Sequence, residues 1–229
     1  MIKVCIFDLD GTLAATQESI ARPVNMTLAL YGLPPQPVEA FNWFAGDGIK
    51  NALKRALIAS GDTEDGLLYE HLEKGLPLCR AWMQEDPCYH ATPYDGIERA
   101  LADLTSRGIK IVVFSNKPHE SAIGVVETIF GKGTFDHIQG QTDRIPIKPD
   151  PTGVYEILAM FDAGKDECLY FGDTNTDMRT GKNAGVTTVG VTWGFRPRSE
   201  LEENHADIII DHPSEIPGLV SERRSEVTP

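Results

Sequence analysis

The sequence predicts a doubly wound α/β fold: a mostly parallel, Rossmann-like sheet covered by helices on both faces, with a helical domain inserted near its start. Three observations carry this. Near-continuous apolar runs alternate with helical patterns through the second half of the chain, the mark of strands buried on both faces by crossover helices. Three of those helical patterns stop at glycine, which takes the left-handed conformation that ends a helix. Between residues 14 and 93 the rhythm breaks, β-branched runs are few, and only helical patterns remain.

Taken in order, the apolar residues of MIKVCIF form a first strand that ends at Asp8 and Asp10. ESIARPVNMTLALYG, GDGIKNALKRALIASG and the segment around DGLLYEHLEKGLPLCRAWMQ follow as helices. They are punctuated at Pro34-Pro35-Gln36-Pro37 and at Asp86-Pro87. The chain then divides into 1–14 (core), 15–93 (helical insert) and 94–229 (core). In the last part helices are expected over 96–108, 118–131, 151–162 and 176–185, and strands over 109–115, 168–173, 187–193 and 206–211. From Pro217 onward the tail is polar and expected to be loosely held.

The 229 residues suffice for one large domain or a domain plus an insert. A net charge of −13 argues against nucleic acid or an anionic membrane as partner, because both need a basic surface. It leaves room for a small anionic substrate in a locally basic pocket. No segment approaches the roughly 20 apolar residues of a membrane span, and no signal-peptide pattern opens the chain. A cytoplasmic monomer or homodimer is expected. Cys5 and Cys168 lie in strand patterns, as buried thiols do. Cys79 and Cys88 are too far apart for a Cys-x-x-Cys redox or zinc pair.

In such a sheet ligands bind beyond the C-terminal ends of the strands. Asp8 and Asp10 stand at one such end, Ser115 and Asn116 at a second, and Asp173 with Asp177 at a third; Lys148 precedes helix 151–162. DLDGT is not a hairpin turn, since a helix rather than a strand follows. Neither acidic motif is an EF-hand loop: Gly and Glu are required where Leu13 and Ser19, or Met178 and Ala184, stand. Either pair alone could cap a helix. Together at two strand ends they are better explained by a metal ion. Carboxylates without His or Cys select a hard cation, and Mg²⁺ is the expected one. Ser115 and Asn116 precede a helix with Pro118 in its first turn, and such a start binds anions; Ser115 also reads as an N-cap. A cation site, an anion pocket and Lys148 describe a phosphate site. No Walker loop is present, so ATP is not the obvious guest. One carboxylate can attack phosphorus; the other can protonate the leaving oxygen and later deprotonate water.

DLDGT, FSNK, IKPD and GDTNTD, in that order, resemble the motif set of the haloacid dehalogenase superfamily in its phosphatase branch, over nearly the whole chain. The resemblance implies that Asp8 is nucleophile and Mg²⁺ ligand, and that Asp10 is general acid/base with its carbonyl on the metal. It makes Asp173 a direct ligand and Asp177 a second-sphere or water-mediated one. Ser115 and Asn116 would hold the phosphoryl oxygens, Thr12 would join the substrate-binding residues, and Lys148 would neutralise charge. The insert resembles the family's helical cap. GDGIKNALKRAL, TPYDGIERAL and FSNKPHE further resemble phosphoglycolate phosphatases, so 2-phosphoglycolate is the expected substrate among small phosphorylated metabolites. Pyrophosphate, nucleotides and sugar phosphates are substrates of relatives with the same motifs. Phosphonoacetaldehyde hydrolases resemble the same cap segment and place a Schiff-base lysine at the position of Lys50. Otherwise Lys50 or Arg55 is expected to reach a substrate carboxylate, or to be a solvated helix charge. A catalytically silent binding module on the same fold is the alternative of another class.

Overall fold

The computed structural model describes residues 1–222. Strand β1 (Val4–Phe7) is buried along its whole length. Its side chains alternate: Cys5 and Phe7 face one apolar cluster, Val4 and Ile6 another. That period of two lets one short strand anchor both layers of the fold.

The chain next forms β2 (Ala14–Ala15) and leaves the sheet for four helices: α1 (Gln17–Leu30), α2 (Phe41–Phe44), α3 (Ile49–Ala59) and α4 (Leu68–Glu85). It returns through β3 (Thr92–Pro93), antiparallel to β2, with Ala14 opposite Pro93 and Ala15 opposite Thr92. The four helices share a core of their own, built on Val24, Leu28, Phe41, Leu53, Leu57 and Leu68 and joined by Phe195 from the sheet unit. Pro23 lies inside α1 and Pro77 inside α4. Each removes one backbone donor, yet both helices run on, because packing of their apolar faces outweighs a single missing bond. α1 and α4 approach closely at Gly75, where a Cβ would stand 2.6 Å from Thr27 Cγ2.

The remaining elements are α5 (Ile97–Ser106), β4 (Lys110–Pro118), α6 (His119–Phe130), β5 (His137–Gln141), α7 (Thr152–Met160), β6 (Cys168–Gly172), α8 (Asn175–Ala184), β7 (Thr187–Val191), α9 (Arg198–Glu203), β8 (Ile208–Ile210) and α10 (Ile216–Glu222). The main sheet is six-stranded in the order β5-β4-β1-β6-β7-β8, and each neighbouring pair is parallel. Its core packs α5 and α6 on one face and α7 and α8 on the other. The chain winds outward from β1 to β4 and β5, then returns to build the other half from β6. β1 is therefore the switch point, and the crevice beyond its C-terminal end is where this topology places a ligand.

Several local expectations are corrected. β4 does not stop at Ser115 but runs to Pro118, so Ser115 and Asn116 lie in the strand and Pro118, not Ser115, occupies the N-cap of α6. β5 was not foreseen: HIQGQ carries no apolar run, and it is a sheet edge paired only with β4. The strand expected over 206–211 shortens to Ile208–Ile210. The tail is held further than expected, since α10 runs to Glu222 and buries Val220; residues 223–229 lie outside the described residues.

Candidate active site

β1 delivers Asp8 directly to the crevice. The Asp8 N–H still donates to Phe171 O, 2.9 Å away, as an extension of the ladder with β6. The chain then turns tightly. Leu9 O accepts from the N–H groups of Leu13 and Ala14, and Gly11 takes φ +87°. This turn brings Asp10 to the mouth of the same cleft as Asp8. β6 ends beside β1 and delivers Asp173 in the same way; Asp177 follows in the first turn of α8.

Carboxylate oxygens of Asp8, Asp173 and Asp177 all lie within 4.8 Å of one another, and all three residues are buried. Lys148 Nζ sits among them, 2.8 Å from Asp8 Oδ1 and 2.7 Å from Asp177 Oδ1, with a side chain 1% exposed. The contact to Asp8 is a close ion pair without hydrogen-bond alignment, so Asp8 Oδ1 has no directional donor. Burial raises the Asp8 carboxyl well above the usual range, and Asp177, Asp173 and Asp10 add to this while Lys148 opposes it. Burial, then Asp177, lift Asp173 to about 7. Burial alone would lower Lys148, but Asp177 and Asp8 outweigh it and hold the ammonium charged well above its ordinary range.

Three buried carboxylates and one ammonium leave two negative charges uncompensated when the acids are ionised. A divalent, oxygen-preferring cation fits that deficit and the all-carboxylate donor set. The oxygens differ in how far they are engaged. Asp173 accepts from Thr12 Oγ1 at 2.9 Å and from the Phe195 N–H at 2.7 Å. Asp177 accepts from Lys148 through Oδ1, and from the Thr174 N–H and hydroxyl through Oδ2. Asp177 is thus tied to Lys148 and the start of α8. Glycines crowd these acids: a Cβ at Gly11 or Gly194 would collide with Asp173, and one at Gly172 with Asp177.

Other residues named from sequence are placed differently from one another. The Thr12 hydroxyl faces Asp173 rather than the cleft. Asn116 lines the cleft, but its side chain clamps Lys148, accepting from the Lys148 N–H at 2.8 Å and donating to Lys148 O at 3.2 Å. Ser115 lines the cleft, and its hydroxyl accepts from the Lys117 N–H. Arg55 is held bidentately by Asp47 at 2.5 and 2.6 Å and by Phe44 O, and faces a separate cleft with Asp47, Arg179 and Arg196. Lys50 is exposed on α3 and does not line the cleft over Asp8. The structure also supplies a residue not singled out from sequence. Lys117, with a side chain 2% exposed, lies 3.1 Å from Asp10 Oδ1 and lines the cleft. Its signal was its position directly after Asn116, at the end of a strand; read alone, a lysine there looks solvated.

This sheet topology, with acids beyond β1 and β6 and a buried lysine between them, defines a haloacid dehalogenase-like core. A family model described as haloacid dehalogenase-like hydrolase matches residues 5–191, and the chain belongs to that family. Within it the chain is similar over nearly its full length to phosphoglycolate phosphatases. It is 30% identical over 219 residues to that of Aquifex aeolicus, covering 96% of this chain and 97% of that one. It is 31% identical over 215 residues to that of Cereibacter sphaeroides, covering 94% and 96%. Among solved structures, a candidate phosphoglycolate phosphatase from Lactobacillus delbrueckii subsp. bulgaricus superposes with a TM-score of 0.87 at 27% identity, over 95% of this chain and 98% of that one. No helix among the described residues is long and apolar enough to cross a membrane.

Proposed function

We propose that the chain is a Mg²⁺-dependent phosphomonoesterase that acts through an aspartyl-phosphate on Asp8, with 2-phosphoglycolate as its substrate. One observation carries the chemistry: Asp8 stands buried at the switch point, paired with Lys148 and grouped with Asp173 and Asp177, while Asp10 lines the same cleft. An Asp8 oxygen attacks phosphorus and the bond to the leaving oxygen breaks. Asp10 gives that oxygen its proton, and the alcohol departs. Asp10 then takes a proton from water, whose oxygen attacks phosphorus and restores the Asp8 carboxylate. Lys148 holds the phosphoryl oxygens against Asp8, and Asn116 and Asp177 hold Lys148. When bound, Mg²⁺ supplies the positive charge that lets anionic nucleophile and phosphate approach. Similarity to phosphoglycolate phosphatases over nearly the whole chain supports this choice of substrate. The insert over 15–93 serves as a cap that covers the cleft and limits water during the first step.

The deciding experiment is a panel of phosphate esters assayed with Mg²⁺ and with chelator. Hydrolysis of 2-phosphoglycolate that stops on chelation and returns with Mg²⁺ is expected. Asp8→Asn should abolish turnover with the fold intact, and Asp10→Asn should lower the rate by about 10²–10⁴-fold. Full activity in excess chelator, or near wild-type turnover by Asp8→Asn, would overturn the mechanism.

A further inference from the structure

The cleft above Asp8 and Asp10 has two unlike walls. The insert contributes Ile20, Ala45, Ile49, Ala52 and Met83, with Gly46 and Gly48, and no ionisable side chain. The sheet contributes the polar groups, and the only basic side chain lining the cleft among the described residues is Lys117. The two cap cations that sequence suggested for a substrate carboxylate are elsewhere: Lys50 is exposed and Arg55 is held by Asp47.

A buried ammonium is costly unless an anion accompanies it, and Lys117 has Asp10 at 3.1 Å. Asp10, on the reading above, faces the bridging oxygen of the ester. On that reading Lys117, paired with Asp10, stands on the leaving-group side of the phosphate. In an α-phosphoryloxy acid the carboxylate is one carbon from the bridging oxygen. A cation in hydrogen-bond contact with the group that serves that oxygen is within reach of the carboxylate. The apolar wall offers sugar or nucleoside hydroxyls no side-chain partner, and a hydroxyl buried without one is disfavoured.

We infer that Lys117 is the specificity-determining cation of this site, receiving the carboxylate of a compact α-phosphoryloxy acid against an apolar cap wall. This rests on the phosphatase reading above and adds to it the residue that chooses the substrate. In the ground state Lys117 is shared between Asp10 and the incoming carboxylate; a charge-assisted bond of this kind discriminates strongly against a neutral isostere.

The test compares kcat/KM for 2-phosphoglycolate and for its uncharged amide, glycolamide phosphate, in the wild type and in Lys117→Met, Lys117→Gln and Lys117→Arg. Asp10 is disturbed equally for both esters, so the ratio is the readout. The wild type should favour the acid. The ratio should fall by about 10–100-fold in the Met and Gln variants, the scale of one charged hydrogen bond, and recover in part with Arg. The wild-type ratio needs no variant to fold: a value near one overturns the role of Lys117 while leaving the phosphatase reading standing. A wild type that hydrolyses other esters but not 2-phosphoglycolate overturns both the proposed substrate and this inference. A wild-type preference for the acid that survives all three substitutions overturns the inference alone.

Discussion

Burial raises the Asp8 and Asp173 carboxyls, and their titration sets a measurable expectation. An aspartate in the unfolded chain titrates near 3.9, whereas Asp173 is raised to about 7 and Asp8 well above its ordinary value. Between those pH values the metal-free folded state binds more protons than the unfolded one. Its contribution to stability is complete below about pH 4 and is lost as pH rises through about 7. A cation that binds the ionised acids restores what is lost. The rise in Tm on adding Mg²⁺ should therefore be larger at pH 8 than at pH 5.5; equal rises would sink the assignment of these acids to a cation. Asp173→Ala should weaken that Mg²⁺ response more than Asp177→Ala, because Asp177 is already paired with the Lys148 ammonium, whereas Asp173 accepts only from a neutral hydroxyl and a backbone N–H. That Asp8, Asp173, Asp177 and Lys148 gather in one crevice was legible in the sequence, the acids from the ends of two strands and Lys148 from the loop before α7. Lys117 and the clamp from Asn116 to Lys148 were not. Both depend on which side chains the folded sheet buries, and nothing in the local pattern of FSNKP distinguishes a buried lysine from a solvated one.

Elements were legible where burial leaves a periodic trace. β1, β4, β6 and β7 are apolar because helices cover both faces. β5 left no such trace, since an edge strand with Gln139 and Gly140 at its centre needs only one neighbour. The end of β4 was misplaced because Pro118 suggests a first helical turn, while the sheet keeps the chain extended through it. Helix packing in the insert yields a prediction at this scale. At Gly75, alanine would gain about 1 kcal/mol of helix propensity. Its Cβ would meet Thr27 Cγ2 at 2.6 Å and Tyr31 Oη at 3.2 Å, and overpacking of that kind costs about 1–3 kcal/mol. The clash is expected to win, so Gly75→Ala should lower Tm. A raised Tm would mean that α1 moves aside at little cost.

At the scale of the molecule, the helical insert and the sheet unit both line one cleft, and Phe195 of the sheet unit is buried in the helical core. If the insert closes over substrate, X-ray scattering should show compaction when a phosphate-mimicking fluoride complex binds; an unchanged envelope with the mimic bound would count against closure. The β2–β3 pair bears on a different matter, the order in which the chain assembles. β1 and β4 are neighbours in the sheet, yet most of the sequence between them belongs to the helical insert. Because Ala15 and Thr92 are paired, an insert that folds first brings its two ends together. It then shortens the loop that β1 and β4 must close roughly fourfold, which lowers the closure entropy by about 1 kcal/mol. Refolding kinetics would register the difference: weakening the insert, as at Gly75, should slow formation of the distant parallel sheet by up to about tenfold, although no residue of that sheet has changed.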